Sequence, residues 1–323
     1  MTVDQINLQN VDEYLIDFNH YAVAYTMDRL LIDKTTKKNI IWATDTYESM
    51  GNGFGAHDGM LKRYFYGSRA IHFQPRTVKS EETKKARTKA KAEVFTPAWL
   101  CNKMNNYLDE DWFGRKDVFN VELEHDWKIN EGKIQFPDNK GWKEYVDSTR
   151  MEITCGEAPF LVSRYDASTG DFIVPVLRRI GLLDRKLRVV DENTNTEKDW
   201  LKWAERAVQS CYGYEYQGDN LLLARINILL TYVEYYQDRW KKDPDKKTLL
   251  KIANIIAWNI WQMDGLKGTI PFGSLAHEHR QMTIFDMMED QPEKDEEIPC
   301  RIYDWRANRS IPYISLKKNR ERE

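Results

Sequence analysis

Hydrophobic and polar positions alternate with two distinct periods along this chain, and the change of period divides it. Residues 10–32 place Tyr14, Leu15, Phe18, Tyr21, Tyr25 and Leu30 near a 3.6-residue repeat, which predicts a helix with Asn10 or Asp12 as its N-cap. Residues 38–44, KNIIWAT, form a short β-rich run ending in Asp45-Thr46-Tyr47, and residues 51–59 are glycine-rich and predict a loop. Residues 80–92 are polar and strongly basic. A second helix is predicted over 94–108, with Thr96 as N-cap and Pro97 as first helical residue. Residues 109–145 are expected to be loop-rich, punctuated by Trp112, Trp127 and Trp142.

From residue 151 the pattern becomes strand and helix in alternation. Apolar runs occupy 172–180 and 187–190, and an amphipathic helix over 199–211 carries Trp200, Trp203, Ala204 and Ala207 on one face. A short strand at 212–215 is followed by a helix over 221–236, then by helical periodicity over 248–261 that runs into a strand end at 260–264. Residues 291–297 read as an acidic linker, 300–303 as a short strand and 317–323 as a charged tail. This alternation predicts an α/β fold with a mostly parallel, doubly wound sheet carrying helices on both faces, behind a helical and loop-rich N-terminal region. Three segments follow: 1–92, 93–290 and 291–323.

Composition narrows the chemistry. The net charge of −3 gives no global signature of a nucleic-acid binder, so any such contact must come from local patches. The densest patch is Lys84, Lys85, Arg87, Lys89 and Lys91, which is either a solvated helix face or a set of DNA phosphate contacts. Cys101, Cys155, Cys211 and Cys300 include no C-x-x-C pair, which argues for a reducing compartment and against zinc or disulfides. His277 and His279 flank Glu278 without a further ligand nearby in sequence and read as a surface loop. The first residues carry acids and no apolar signal core, and no run approaches the roughly 20 apolar residues of a membrane span, so a cytoplasmic protein is expected.

The candidate chemistry concentrates in residues 151–161, MEITCGEAPFL. A strand ending in a tight turn of small residues lets backbone N–H groups approach a ligand, and a following helix start adds positive dipole. Upstream lies Phe95-Thr96-Pro97; downstream lie Gly213-x-Glu215, then Ala224 and Asn227 on the next helix, then Asp264-Gly265-Leu266. These segments, in this order, resemble the N6-adenine DNA methyltransferases of restriction-modification systems. The family carries a Tyr/Phe-Thr-Pro motif, a Cys-Gly turn closed by Phe-Leu, and an acid at the end of the next strand. The resemblance runs from about residue 93 to residue 266, with Ile153 and Ala158 standing where the family has Pro and Gly.

The resemblance implies S-adenosyl-L-methionine as cofactor and DNA as partner, with a target-recognition or nuclease subunit as a further candidate partner and no membrane. It implies that Phe95, Thr96, Pro97 and Phe160 lie by the methionine end of the cofactor. Glu152, Thr154, Cys155 and Gly156 would form the turn beside it. Glu215 would accept the ribose hydroxyls with Tyr216 adjacent, and Asp264 with Gly265 would meet the adenine. The 323 residues contain no Asn-Pro-Pro-Tyr or Asp-Pro-Pro-Tyr, the tetrapeptide with which the family holds its flipped target base. Two segments are candidates to replace it: Asp304 with Trp305, and, in permuted order, Asp45 with Tyr47. The alternative is a methyltransferase-like subunit without activity that binds DNA or a partner.

Overall fold

The computed structural model describes residues 15–67, 70–71, 75, 96–274 and 297–316. Phe95 and the basic run from Lys84 to Lys91 lie outside the described residues, as do the His277–His279 pair and the acidic linker up to Glu296.

The architecture is mixed α/β around a small parallel sheet. Strands β3 (Arg150–Glu152), β4 (Cys211–Glu215) and β5 (Ile260–Gln262) lie in the order β3-β4-β5, and both pairings are parallel. Helices α4 (Leu182–Asn193) and α5 (Glu197–Gln209) join β3 to β4, while α6 (Gly218–Trp240) and α7 (Lys246–Asn259) join β4 to β5. Crossovers of this length are what parallel pairing requires. Helix α5 starts at the Thr196 N-cap, whose hydroxyl accepts from the Asp199 N–H, and α7 starts at Asp245, which accepts from Thr248.

Helix α6 is buried along most of its length, without a break from Gly218 to Val233, so it forms the centre of the main core rather than a surface layer. Cys211, Ile260 and Cys155 face that core from the sheet side. The opposite sheet face shows Tyr214 and Trp261, with Met151 and Tyr212 at its margin, to Ile302 and Tyr313. Those last residues belong to the antiparallel hairpin β6 (Arg301–Asp304) and β7 (Arg309–Pro312) and the turn after it. The expectation of helices on both faces is corrected here: among the described residues a β-hairpin covers the second face. Period-2 alternation explains why one strand serves two different cores.

The N-terminal helix α1 spans only Tyr21–Leu30, capped by the His20 imidazole, so the longer span predicted over 10–32 is too long at its described start. The run 38–44 makes isolated bridges, Ile32 with Asn39 and Ile41 with Gly59, rather than a strand. Helix α2 is Ala98–Phe113, with Pro97 rather than Thr96 in the N-cap position. Proline has no capping side chain, and the Asp166 carboxylate caps the helix from across the chain by accepting the Ala98 N–H at 2.9 Å. The expected loop of 109–145 holds the hairpin β1 (Asn120–Glu122) and β2 (Trp127–Ile129) and the short helix α3 (Trp142–Asp147).

Candidate functional site

The three parallel strands end side by side at Glu152, Glu215 and Gln262, the position at which open α/β sheets bind ligands. Beyond β3 the chain turns sharply. Thr154, Gly156 and Ala158 take positive φ values of 48°, 54° and 67°, which costs a non-glycine residue about 1–2 kcal/mol. The turn is held from both neighbouring strand ends. Cys155 donates its N–H to the Tyr214 carbonyl at 2.8 Å, and Gly156 donates to Glu215 Oε2 at 2.9 Å. Glu152 accepts from the N–H groups of Phe160 at 3.3 Å and Leu161 at 3.0 Å, folding the end of the turn back over its own strand.

Local packing explains the small residues. A Cβ on Gly213 would stand 3.3 Å from both Cβ and Sγ of Cys155, so the turn lies directly against β4. Cys155 is buried, and burial with two nearby carboxylates pushes its thiol well above the ordinary range, so it is a packing group rather than a nucleophile. Ala158, where the resembled family has glycine, buries its methyl in the main core rather than in the space above the sheet. Asn227 on α6 secures the turn further, donating to the Glu157 carbonyl at 3.1 Å and to the Tyr165 hydroxyl at 2.9 Å.

Glu215 Oε1 accepts from Tyr216 and Gln217 at 2.9 and 3.1 Å, in addition to the Gly156 bond on Oε2. Three of its roughly four lone-pair sites are filled by backbone, leaving acceptor capacity on Oε2. Burial raises the pKa of both acids, opposed by these N–H bonds; Glu152 is pushed up to about 8.

Beside Glu215 the rim is aromatic. Tyr216 meets Phe272 at 6.0 Å between ring centroids, and Phe272 lies 3.9 Å from the His57 ring. Asp264 follows β5 and accepts from Leu266 and Lys267 N–H groups at 3.0 and 3.2 Å, shaping a turn that leaves Leu266 95% exposed. Gly265 packs on Tyr214, whose ring a Cβ there would meet at 2.7 Å. Phe160 joins Ala98, Cys101 and Ile180 in a satellite cluster, which brings the start of α2, and with it Thr96 and Pro97, alongside the turn.

The structure therefore brings Thr96, Pro97, Glu152, Thr154, Cys155, Gly156, Phe160, Glu215, Tyr216, Asp264 and Gly265 to one end of the sheet. It brings Asp45 and Tyr47 to the same end. The Gln262 side-chain amide holds the Ile41 backbone by both its N–H (3.0 Å) and its carbonyl (2.8 Å), and Tyr47 donates to Asp219 at the start of α6 at 3.0 Å. Tyr47 is buried against Trp42, so its ring is structural, whereas Asp45 is exposed.

Asp304 and Trp305 go to the other end. Asp304 accepts from Arg306 and Ala307 N–H groups within its own turn, and the Trp305 indole donates to Asn259, the residue before β5 begins. They are removed from the candidate site, because β6 runs back across the sheet face toward the strand starts. Gln262, His57 and Phe272 are not singled out by sequence reasoning; for Gln262 the signal is present, a polar residue inside the apolar run IWQM.

Among the described residues no group of three or more His, Cys, Asp or Glu could hold a metal, and no helix is long and apolar enough to cross a membrane. The chain matches no protein-family model, no curated protein and no solved structure.

Proposed function

We propose that the chain binds S-adenosyl-L-methionine at the carboxyl ends of β3, β4 and β5 and serves as an N6-adenine DNA methyltransferase-like protein of a restriction-modification or phage-defence system. The observation that carries this reading is the direct link between the Cys155-Gly156 turn and Glu215 on adjacent parallel strands. Two motifs separated by 59 residues in sequence are thereby joined in one structure. Glu215 keeps acceptor capacity for a ribose hydroxyl, and Tyr216 and Asp264 stand where an adenine would lie between the second and third strand ends. The side chains fit part of the group: carboxylates for hydroxyl and amino hydrogens and an aromatic rim for a base, whereas the start of α2 is already occupied by the Asp166 carboxylate. The cofactor would supply an electrophilic methyl group.

This chain's own part in transfer is positioning. A target adenine must leave its stack, and an acceptor must orient its amino lone pair toward the methyl. Asp45, exposed on the segment that Gln262 fastens to the site, is the acid we assign to that role. The second reading is a binding subunit without transfer activity, and the absence of an Asn/Asp-Pro-Pro-Tyr tetrapeptide from the 323 residues favours it.

Calorimetric titration with S-adenosyl-L-methionine separates these readings. Micromolar binding that weakens about tenfold to a hundredfold in Glu215→Ala is expected, matching charge-assisted hydrogen bonds worth about 1.5–3 kcal/mol. No binding by the folded wild type refutes the cofactor site. Binding together with methyl transfer to mixed-sequence DNA, lost in Asp45→Ala, establishes the enzyme; binding without transfer establishes the subunit.

A further inference from the structure

The end of the sheet opposite the candidate cofactor site carries an open groove of about 1270 Å³, between α3, α5 and α7. Pockets for drug-sized ligands span about 300–1,000 Å³, so this groove holds more than a single small molecule. Its charges are unequal in a specific way. Asp147 is paired with Arg206 and Arg306, Glu205 with Lys251, and Glu197 with Lys242. Asp245 and Glu144 accept the Thr248 and Gly141 N–H groups and keep their charge. The cations Lys143, Lys198, Lys202 and Lys247 are exposed and have no carboxylate within ion-pair distance among the described residues. The lining holds seven Lys and Arg against five Asp and Glu, so the groove carries a net charge of +2.

An aromatic platform lies among those lysines. The half-buried Trp203 lines the groove and meets Trp142 edge-on at 4.8 Å, with Lys143 and Lys202 ammonium groups 5.5 and 5.9 Å from its ring. At the floor, the Tyr232 hydroxyl is buried and has no hydrogen-bond partner among the described residues. Lys143 and Lys202 lie over the indole in cation–π contact, so a base that stacks on Trp203 displaces an ammonium group toward the ligand's phosphates. The site suits a ligand that alternates planar rings with negative charge. We infer that this groove binds a single-stranded nucleic acid, its phosphates on Lys143, Lys198, Lys202 and Lys247 and a base stacked on Trp203. The inference does not depend on the cofactor reading, since the groove lies at the strand starts and none of its residues belongs to the carboxyl-end set. An acidic peptide would satisfy the lysines but would have no use for the indole.

The test uses the full chain, without cofactor, and a fluorescein-labelled dT15 strand, followed by anisotropy at several salt concentrations. Binding is expected, with Lys198→Ala/Lys202→Ala/Lys247→Ala flattening the slope of log affinity against log salt by about 2, from about 0.7 per phosphate contact. Trp203→Ala should weaken dT15 binding about fivefold to a hundredfold, and Trp203→Phe, which preserves packing on Trp142, should restore most of it. Circular dichroism confirms that each variant is folded. An unchanged slope in the triple variant overturns the inference and moves binding to another patch, such as the run from Lys84 to Lys91. Tighter binding of the matching duplex, or of a polyglutamate peptide with no effect of Trp203→Ala, overturns it in favour of those partners.

Discussion

Gly218→Ala is the most direct probe of how the N-terminal segment is fixed to the site. Gly218 opens α6, and a Cβ there would stand 2.0 Å from the Ile41 carbonyl oxygen and 2.9 Å from Met60 Sδ. Ordinary contact begins near 3.4 Å, so Ile41 must retreat by about 1.4 Å. Its backbone cannot do so freely. Ile41 is held by Gln262 through two hydrogen bonds of 3.0 and 2.8 Å, and Gly218 itself donates to the Trp42 carbonyl at 2.9 Å. A shift of that size carries all three beyond hydrogen-bonding range, at about 1 kcal/mol each. Alanine returns up to about 1 kcal/mol in helix propensity. The net expectation is a loss of about 2 kcal/mol, read as a lower urea midpoint with an unchanged m-value. Hydrogen exchange should accelerate at Ile41 and Trp42 and remain unchanged in β4. A variant within about 0.5 kcal/mol of wild type, with Ile41 still protected, would refute the proposed fastening and with it the placement of Asp45 at the site.

Three further outcomes are expected. Asp166→Ala should cost about 1–2 kcal/mol and expose the Ala98 amide to exchange, because the helix start it caps has only a proline of its own. Glu152 is raised from 4.5 to about 8 in the fold, so below about pH 4.5 it is protonated whether folded or unfolded and adds no pH dependence. Above that the unfolded chain ionises first, and stability contributed by Glu152 falls as pH climbs toward 8; urea midpoints of Glu152→Gln should drop less between pH 5 and pH 8 than those of wild type, and equal drops would sink the assignment. Asp304→Asn should leave S-adenosyl-L-methionine affinity unchanged in calorimetry, since its turn lies at the strand starts; a tenfold loss would restore it to the site.

The parallel strands and three of the four helices between them are legible from strong local signals. Helix α4, Leu182–Asn193, reads in the sequence only as an apolar run at 187–190, because buried Asp184, Arg185, Lys186 and Arg188 interrupt its apolar pattern. Strand 212–215 and helix 221–236 differ from the observed Cys211–Glu215 and Gly218–Trp240 only at their ends. The covering hairpin is half legible: its first strand reads as β, but nothing in 309–312 says that it folds back over Tyr214 and Trp261. The cap of α2 is hidden for a similar reason. Thr96 carries the right side chain for an N-cap, yet the capping group is Asp166, 68 residues from Ala98. Long-range hydrogen bonds leave no periodicity in the sequence. The end of the sheet to which Asp304 goes is equally hidden, because it depends on the direction in which β6 crosses the face.

The buried acids at the strand ends do two jobs that must be separated before any variant is interpreted. Glu152 spends both oxygens on the Phe160 and Leu161 N–H groups, so its loss unfastens the turn whatever the turn binds. Glu215 is also a fastener, but it joins two strand ends through a side chain while keeping acceptor capacity. Glu215→Gln is therefore more informative than Glu215→Ala about chemistry. The amide keeps one acceptor for the backbone and nearly the same volume, while removing the charge that a ribose hydroxyl would favour. If Glu215 only builds the turn, Gln and Ala should order stability as Gln above Ala, and S-adenosyl-L-methionine affinity should follow stability. If it also receives the cofactor, Glu215→Gln should lose affinity about as strongly as Glu215→Ala while staying markedly more stable. That divergence between affinity and stability distinguishes a ligand contact from a fold contact at this position.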